Sequence, residues 1–427
     1  MRTESDFLGS RQLPKGALYG LQTLRARENF ALPFADAPEA LVRAVLQIKL
    51  AAAESYRELA EKPVVYAAIA ESCRELLAME ALPPDLHTNA LQGGAGTSLH
   101  FAVNEVVANM AAVHLGGMPG DYALVHPLDD VNKGQSTNDA VPTALRIAAI
   151  QGVRALSEEC AKLQEALQEK ENAFDSIRKL GRTEWMDAVP TTLGQTFGAF
   201  AQAVARDRWR LYKMEERLRQ VNLGGGAVGT LNQSPLHRKY RVLALEKLRE
   251  ITGIGLAAAE YPLDITQNAD VFAEVSGLLK AAAVNRMKIA GDLRRMNSGP
   301  AGGLSELHLP PRQIGSTIMP GKVNPVICEM VQQTAMRVIA NDTAITLAAG
   351  EGEFELNAFT PLIAHSLLES LDLLTAADRL FRVKCIAGIT ADAAHCAQIL
   401  GASNAELLAQ VPTVGYTAVE ARSKAET

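Results

Sequence analysis

The sequence predicts an all-α protein built on a bundle of long helices. Three observations predict it. Alternating runs of β-branched residues, the mark of half-buried strands, are nearly absent. Alanine, the best helix former, recurs through long stretches of helical spacing. Several of those stretches reach about 25–35 residues, beyond an average globular helix, and carry alanine on several faces, so each expects more than one packing neighbour. A single chain cannot complete such a bundle, which points to an oligomer with a shared core.

Taken in order, residues 1–38 are rich in turn formers and aromatics and read as an irregular N-terminal segment. Residues 39–80 carry Leu, Val, Ile and Ala at helical spacing, until Ala81-Leu82-Pro83-Pro84-Asp85 breaks the pattern. The glycine-rich segment 93–96 leads into a helix over about 98–115, which Gly116-Gly117-Met118-Pro119-Gly120 ends. Segment 126–139 reads as a loop. From Pro142 a helix rich in Ala, Leu, Glu and Lys runs to about Phe174, and a second follows the Pro190 break over roughly 191–220. Segment 222–236 is a glycine-rich turn region. Helical spacing resumes at about 237–253, 264–298 and 324–350.

The chain has 427 residues, of which 48% are hydrophobic and 21% charged. This supports a large core and excludes global disorder; the length suits two or three domains or one large helical body. A net charge of −6 argues against a general nucleic-acid binder. It also means that an anionic ligand must be held by local cations. Cys73, Cys160, Cys328, Cys385 and Cys396 are scattered and odd in number, with neither zinc spacing nor a disulfide framework, as suits a reducing cytoplasm. No signal-peptide pattern follows the polar Met1-Arg2-Thr3-Glu4-Ser5-Asp6, and no apolar run spans a membrane. Gly224-Gly225-Gly226 with Gly229 lacks the strand and the Gly-Lys-Ser/Thr of a phosphate loop and reads as a turn. The histidines show no chelating spacing, so no metal and no cofactor is expected.

The richest chemistry lies in Gly315-Ser316-Thr317-Ile318-Met319-Pro320-Gly321-Lys322-Val323-Asn324-Pro325. Hinge glycines, two hydroxyls, a cation and an amide fall within one loop that Pro320 and Pro325 keep from being a regular helix. Such a loop can close over a small anion, placing Ser316 against it while Lys322 neutralises a carboxylate and Asn324 hydrogen-bonds it. Read alone, the serine would merely cap the next helix.

The loop resembles the Gly-Ser-Ser-x-x-x-x-Lys-x-Asn signature of the aspartase/fumarase superfamily. Three other segments resemble the same family, in its order and at similar spacing: Gly93-Gly94-Ala95-Gly96-Thr97-Ser98; His126-Pro127 through Gln135-Ser136-Thr137-Asn138-Asp139; and Gly181-Arg182-Thr183 through Asp187-Ala188-Val189-Pro190. The likeness runs from Tyr19-Gly20-x-Gln22-Thr23 to about Thr390. It implies an all-α fold of the aspartase/fumarase type, completed as a homotetramer whose active sites each draw on three chains. The expected division is an N-terminal, mainly helical domain over 1–138, a central long-helix domain over 139–390, and a short or truncated C-terminal helical domain over 391–427. Val414-Gly415-Tyr416 through Ala425-Glu426-Thr427 resembles only the start of the family's last domain.

The implied reaction is elimination from an aspartate-like dicarboxylate to give fumarate. A proton must leave Cβ, next to the second carboxylate, and the resulting dianionic aci-carboxylate needs fixed donors that strengthen as charge develops. By the resemblance Ser316 is the base, and Thr97, Ser136, Thr137 and Thr317 are the donors. Lys322 and Asn324 hold the α-carboxylate, Asn138 orients the substrate ammonium, and Thr183 reaches the substrate from a third segment. As a plain sequence, Ser136-Thr137-Asn138 also suits a turn and helix N-cap.

Three departures bear on the substrate. Glu184 stands where relatives carry His or Gln, and Glu329 occupies the position of that His's glutamate partner. Two adjacent carboxylates share a proton or take a cation between them, and a substrate amine would serve; otherwise Glu184 faces solvent. Leu99-His100-Phe101-Ala102 replaces the usual Thr-Asn-Met-Asn, so His100 either substitutes for a lost amide or is a satisfied buried histidine. Ser298-Gly299-Pro300-Ala301 replaces Ser-Gly-Pro-Arg. The segment from His126 to Lys133 and the Gly352-Glu353-Phe354-Glu355-Leu356-Asn357 stretch look closer to the aspartase branch than to fumarases. A lyase for an N-substituted aspartate, a fumarate hydratase and a catalytically silent tetrameric scaffold are the other readings.

Overall fold

The computed structural model describes residues 1–231 and 233–426; Asn232 of the glycine-rich turn region and Thr427 at the end of the C-terminal run lie outside them. The chain is mainly helical, as predicted. In order come β1 (Arg2–Asp6), β2 (Gly9–Leu13), α1 (Leu21–Asn29), α2 (Glu39–Glu58), α3 (Pro63–Ala78), α4 (Thr97–His114) and α5 (Thr137–Ala173). Then follow β3 (Arg178–Thr183), β4 (Met186–Thr192), α6 (Leu193–Leu218), α7 (Pro235–Thr252), α8 (Pro262–Gln267) and α9 (Asp270–Met296). The chain continues through α10 (Val326–Gly350), α11 (Thr360–Lys384), α12 (Ala393–Gly401) and α13 (Ala405–Leu408) into two terminal helices, Val411–Val414 and Tyr416–Glu426. Two compact units result. The first is Met1–Arg154, Lys213–Gly277 and Ala340–Leu371; the second is Ala155–Tyr212, Leu278–Ile339 and Asp372–Thr427.

In the first unit, α2 packs on α3 and α7, and α4 lies against α1 and α3. Tyr56 ties three helices together. Its ring stacks on Tyr66 of α3 at 5.0 Å and on Tyr240 of α7 at 4.6 Å, each pair contributing about 0.5–1.5 kcal/mol beyond its buried area. The sequence reads 39–80 as one helix, but the structure divides it. Ala60 and Lys62 take φ of 58° and 35°, and Pro63 opens α3, where its missing N–H would have had no partner anyway.

The start predicted at Pro142 falls too late, because α5 begins at Thr137. A proline inside a helix strands the carbonyl four residues back, here that of Asn138. Asn222 Nδ2 donates to it at 3.0 Å and to Thr266 Oγ1 at 2.8 Å. The proline is therefore tolerated and α5 runs for 37 residues, about 55 Å at 1.5 Å per residue.

In the second unit, β3 and β4 form an antiparallel hairpin covered by α12 and α13. Leu180 packs there with Leu400, Ala405 and Ile399. Sequence reasoning missed this hairpin because its strands, RKLGRT and MDAVPTT, are short, are interrupted by Gly181 and Pro190, and offer little β-branched alternation beyond Val189 and Thr191. The buried Arg286 of α9 lies at the centre of this unit. Its Nε and Nη2 donate to Asp378 of α11 at 3.0 and 2.7 Å, and its Nη1 donates to Asp207 of α6. Asn285 and Arg210 complete the shell of Asp207 at 2.9 and 2.6 Å.

Other expectations need correction. The irregular N-terminal segment contains the β1–β2 hairpin and α1, and the stretch 264–298 divides at Asn268 into α8 and α9. Helix α11 had no counterpart in the sequence reading. No helix among the described residues is long and apolar enough to cross a membrane.

Candidate active site

The four sequence-predicted segments divide between the units. Thr97, His100, Ser136, Thr137 and Asn138 belong to the first; Thr183, Glu184, Ser316, Thr317, Lys322, Asn324 and Glu329 belong to the second.

In the first unit, Thr97 opens α4 and Thr137 opens α5. Two helix N-termini thus carry the hydroxyls, and the positive ends of the two helix dipoles favour a carboxylate there. Thr97 Oγ1 donates to the Gly94 carbonyl at 2.6 Å. Ser136 Oγ accepts from the Asn138 N–H at 3.2 Å, and Asn138 Nδ2 donates to the Ala227 carbonyl at 2.8 Å. His100 ties the two helix starts together, its Nδ1 lying 3.0 Å from Thr137 Oγ1.

Behind His100 sits Lys49 of α2, fully buried. Its Nζ lies 2.6 Å from His100 Nε2, 2.9 Å from Asn132 Oδ1 and 2.8 Å from Gln135 Oε1. Burial pushes Lys49 down to about 7, against the pull of Asp139 and Cys73. Burial likewise pushes Asp139 up to about 7, against N–H groups donated by Gly226 and Ser136 and the charge of Lys49. Burial, then the Lys49 charge, hold His100 well below its ordinary value, so the ring is neutral.

In the second unit, the predicted loop closes on itself. The Gly315 N–H donates to the Lys322 carbonyl at 2.8 Å, and Asn324 Nδ2 donates to the Gly315 carbonyl at 2.9 Å. A side chain at Gly315 would sit 2.8 Å from the Asn324 nitrogen, so the closure needs glycine there. Ser316 Oγ accepts from the backbone N–H groups of Ile318 and Met319 at 3.2 and 2.9 Å. Two donors aimed at one hydroxyl oxygen favour its anionic form. Thr317 is exposed on the same loop.

Lys322 and Asn324 line a cavity of about 1030 Å³ that also takes in Arg294, Glu329, Gln332 and Trp185. Glu329 faces Arg294 at 3.4 Å, so a cation from this chain already stands beside it. Glu184 lines a separate cavity of about 400 Å³, with Lys179, Arg182 and Glu306. In that cavity Glu306 pairs with Lys179 at 2.8 Å and Arg182 at 2.6 Å.

Thr183 ends β3, and Glu184 and Trp185 form the two-residue tip of the hairpin. Both have positive φ, 52° and 69°, a geometry for which Asn-Gly is the usual choice. Neither residue suits it, at a cost of roughly 1–3 kcal/mol each, so their side chains are kept for another reason. The double change Glu184→Asn with Trp185→Gly is expected to raise the thermal midpoint and to lower turnover at least tenfold. Unchanged turnover would remove the tip from the site.

Lys49, Arg294 and Trp185 had no place in the sequence reading, and Asn132, Gln135 and Asp139 entered it only inside family-like segments, with no role of their own. The signal for Lys49 was a lone cation inside the otherwise apolar run from Ile48 to Ala53, but only the fold shows what it faces.

A family model described as lyase matches residues 9–340. The aspartate ammonia-lyase of Pseudomonas canavaninivorans is 43% identical over 421 residues, covering 97% of this chain and 88% of that protein. That of Escherichia coli K12 is 42% identical over 404 residues, covering 93% and 83%. Among solved structures, a fumarate lyase:delta crystallin from Brucella melitensis bound to cobalt superposes with a TM-score of 0.94 at 42% identity, covering 99% of this chain and 92% of that one. A class II fumarase from Schistosoma mansoni gives 0.91 at 28% identity, covering 100% and 93%. The long-helix fold and these likenesses define an all-α carbon–nitrogen lyase. The chain belongs to the aspartase/fumarase superfamily.

Proposed function

We infer that the chain eliminates ammonia from L-aspartate to give fumarate. The observation that carries this reading is the likeness to aspartate ammonia-lyases along nearly the whole chain. In the proposed mechanism Ser316, as alkoxide, takes the Cβ proton. The C–H electron pair moves into the β-carboxylate, and Thr97, Ser136, Thr137 and Thr317 donate to the growing charge. Collapse of the aci-carboxylate forms the double bond, and the C–N pair leaves with ammonia. Lys322 and Asn324 hold the α-carboxylate, Asn138 orients the ammonium, and Thr183 and Glu184 complete the substrate's surroundings. The amide donors on Ser316 Oγ support its role as base. His100 and Glu329 support neighbouring groups.

The sites require a homotetramer in this proposal. Apolar side chains left exposed on the long helices, Val284, Met336 and Leu347, support burial against further copies. A cytoplasmic location is part of this proposal, supported by buried free cysteines that suit a reducing compartment. A second reading, elimination from an N-substituted aspartate, is favoured by Glu184 and Trp185 at the hairpin tip. The test is fumarate formation followed by ultraviolet absorbance, with L-aspartate and L-malate offered separately. Turnover of aspartate alone is expected; turnover of malate alone would overturn the reading, and silence on both would favour the substituted substrate.

A further inference from the structure

We propose that His100, oriented by Lys49, is a positioning residue that turns the Thr137 hydroxyl into an obligatory donor to the substrate. The proposal rests on the functional reading above, in which Thr137 faces the developing carboxylate charge.

The direction of every hydrogen bond in this buried chain can be worked out. Asn132 Nδ2 donates to the Gln135 carbonyl and Gln135 Nε2 donates to the Val131 carbonyl, each at 3.3 Å. Both amides are thereby oriented with their oxygens toward Lys49 Nζ. An ammonium has three hydrogens and no lone pair, and Nζ has three neighbours within hydrogen-bond distance: Asn132 Oδ1, Gln135 Oε1 and His100 Nε2. The three hydrogens match the three acceptors. In this ammonium form of Lys49, His100 Nε2 accepts, and the neutral ring carries its proton on Nδ1.

That Nδ1–H faces Thr137 Oγ1 at 3.0 Å and donates to it. The hydroxyl's own proton is left to point elsewhere, and no acceptor for it lies among the described residues. A hydroxyl otherwise free to rotate is thus set as a donor before substrate arrives, which is how preorganised stabilisation avoids reorganisation during the reaction. The opposite tautomer would take the Thr137 proton and present the substrate carboxylate with lone pairs. A bound dianion beside Thr137 favours the charged form of Lys49 further, so substrate and relay reinforce one another.

The test compares His100→Leu, His100→Asn and Lys49→Met with the wild type in steady-state turnover of L-aspartate, after each variant's oligomeric state is checked. Asn keeps an N–H near the Nδ1 position, whereas Leu has no donor. The expected result is a fall in kcat of at least thirtyfold for His100→Leu with KM changed less than threefold, since the donor matters most as charge develops. Lys49→Met, which frees the tautomer, should fall at least tenfold, and His100→Asn should retain kcat within about threefold. Nitrogen-15 chemical shifts of the labelled wild-type enzyme should show His100 protonated at Nδ1. A leucine variant with normal kcat, an asparagine variant as impaired as leucine, or an Nε2-protonated ring would overturn the proposal. Absence of aspartate turnover by the wild type would instead overturn the functional reading, and the tautomer measurement would still judge the relay.

Discussion

Ser316→Ala is expected to assemble normally and to lose elimination activity by at least about 10³-fold, the upper part of the range for removing a general base. The Cβ proton of aspartate is barely acidic, so no water molecule replaces the base easily. The substitution should be structurally mild. The hydroxyl's two contacts within the chain are accepted backbone N–H bonds in a partly exposed loop, and water can satisfy both N–H groups once the oxygen is gone. Loop closure does not use the side chain; it rests on the Gly315–Lys322 backbone bond and on Asn324. Substrate affinity should change little, because the α-carboxylate contacts assigned to Lys322 and Asn324 remain. Steady-state kinetics with size-exclusion chromatography checks this. Turnover within tenfold of the wild type would remove Ser316 from the role of base.

The largest effect on stability is expected at Arg286. Replacing it with Met leaves Asp207 and Asp378, both fully buried, without the guanidinium that joins them. Breaking a buried pair in this way costs about 3–5 kcal/mol, a large share of the 5–15 kcal/mol that holds a typical domain together. The variant should unfold at markedly lower urea or accumulate as insoluble protein. The triple change Arg286→Met, Asp207→Asn and Asp378→Asn removes both carboxylate charges, of which Asp207 keeps Arg210 at 2.6 Å and Asp378 is left without its guanidinium partner, and should recover much of the loss. Urea denaturation of the three proteins decides it. A single variant as stable as the wild type would mean that the carboxylates are relieved by protonation or water. A triple variant no better than the single one would mean that packing, not charge, sets the cost.

The fold class was legible because its signal is periodic and long. Helices α4, α6, α7 and α10 follow from apolar spacing and from glycine or proline at their ends. Long-range compensation was not legible. Pro142 reads as a helix start because its rescue comes from Asn222, far along the chain. The β3–β4 hairpin, whose strands are mostly polar, is held by helices that arrive much later, through Leu180, Leu400 and Ala405.

The same contrast holds at the site. The Ser316 loop is local, and its glycines, cation and amide lie within one short run. The Lys49–His100–Thr137 chain joins α2, α4 and α5, which the sequence alone does not bring together. His100 stood out because it breaks a family pattern, but its partners required the packed structure. For Glu184 and Glu329, which the sequence pairs by family position, the structure gives each different company: Glu329 meets Arg294, and Glu184 sits on a strained turn above Lys179 and Arg182.

The most direct test of the central claim is to measure ammonia and fumarate together from a single incubation with L-aspartate, for the wild type beside Ser316→Ala. Equimolar release by the wild type, and none above background from the variant, is the predicted result. Fumarate without ammonia, or equal release by both proteins, would contradict it.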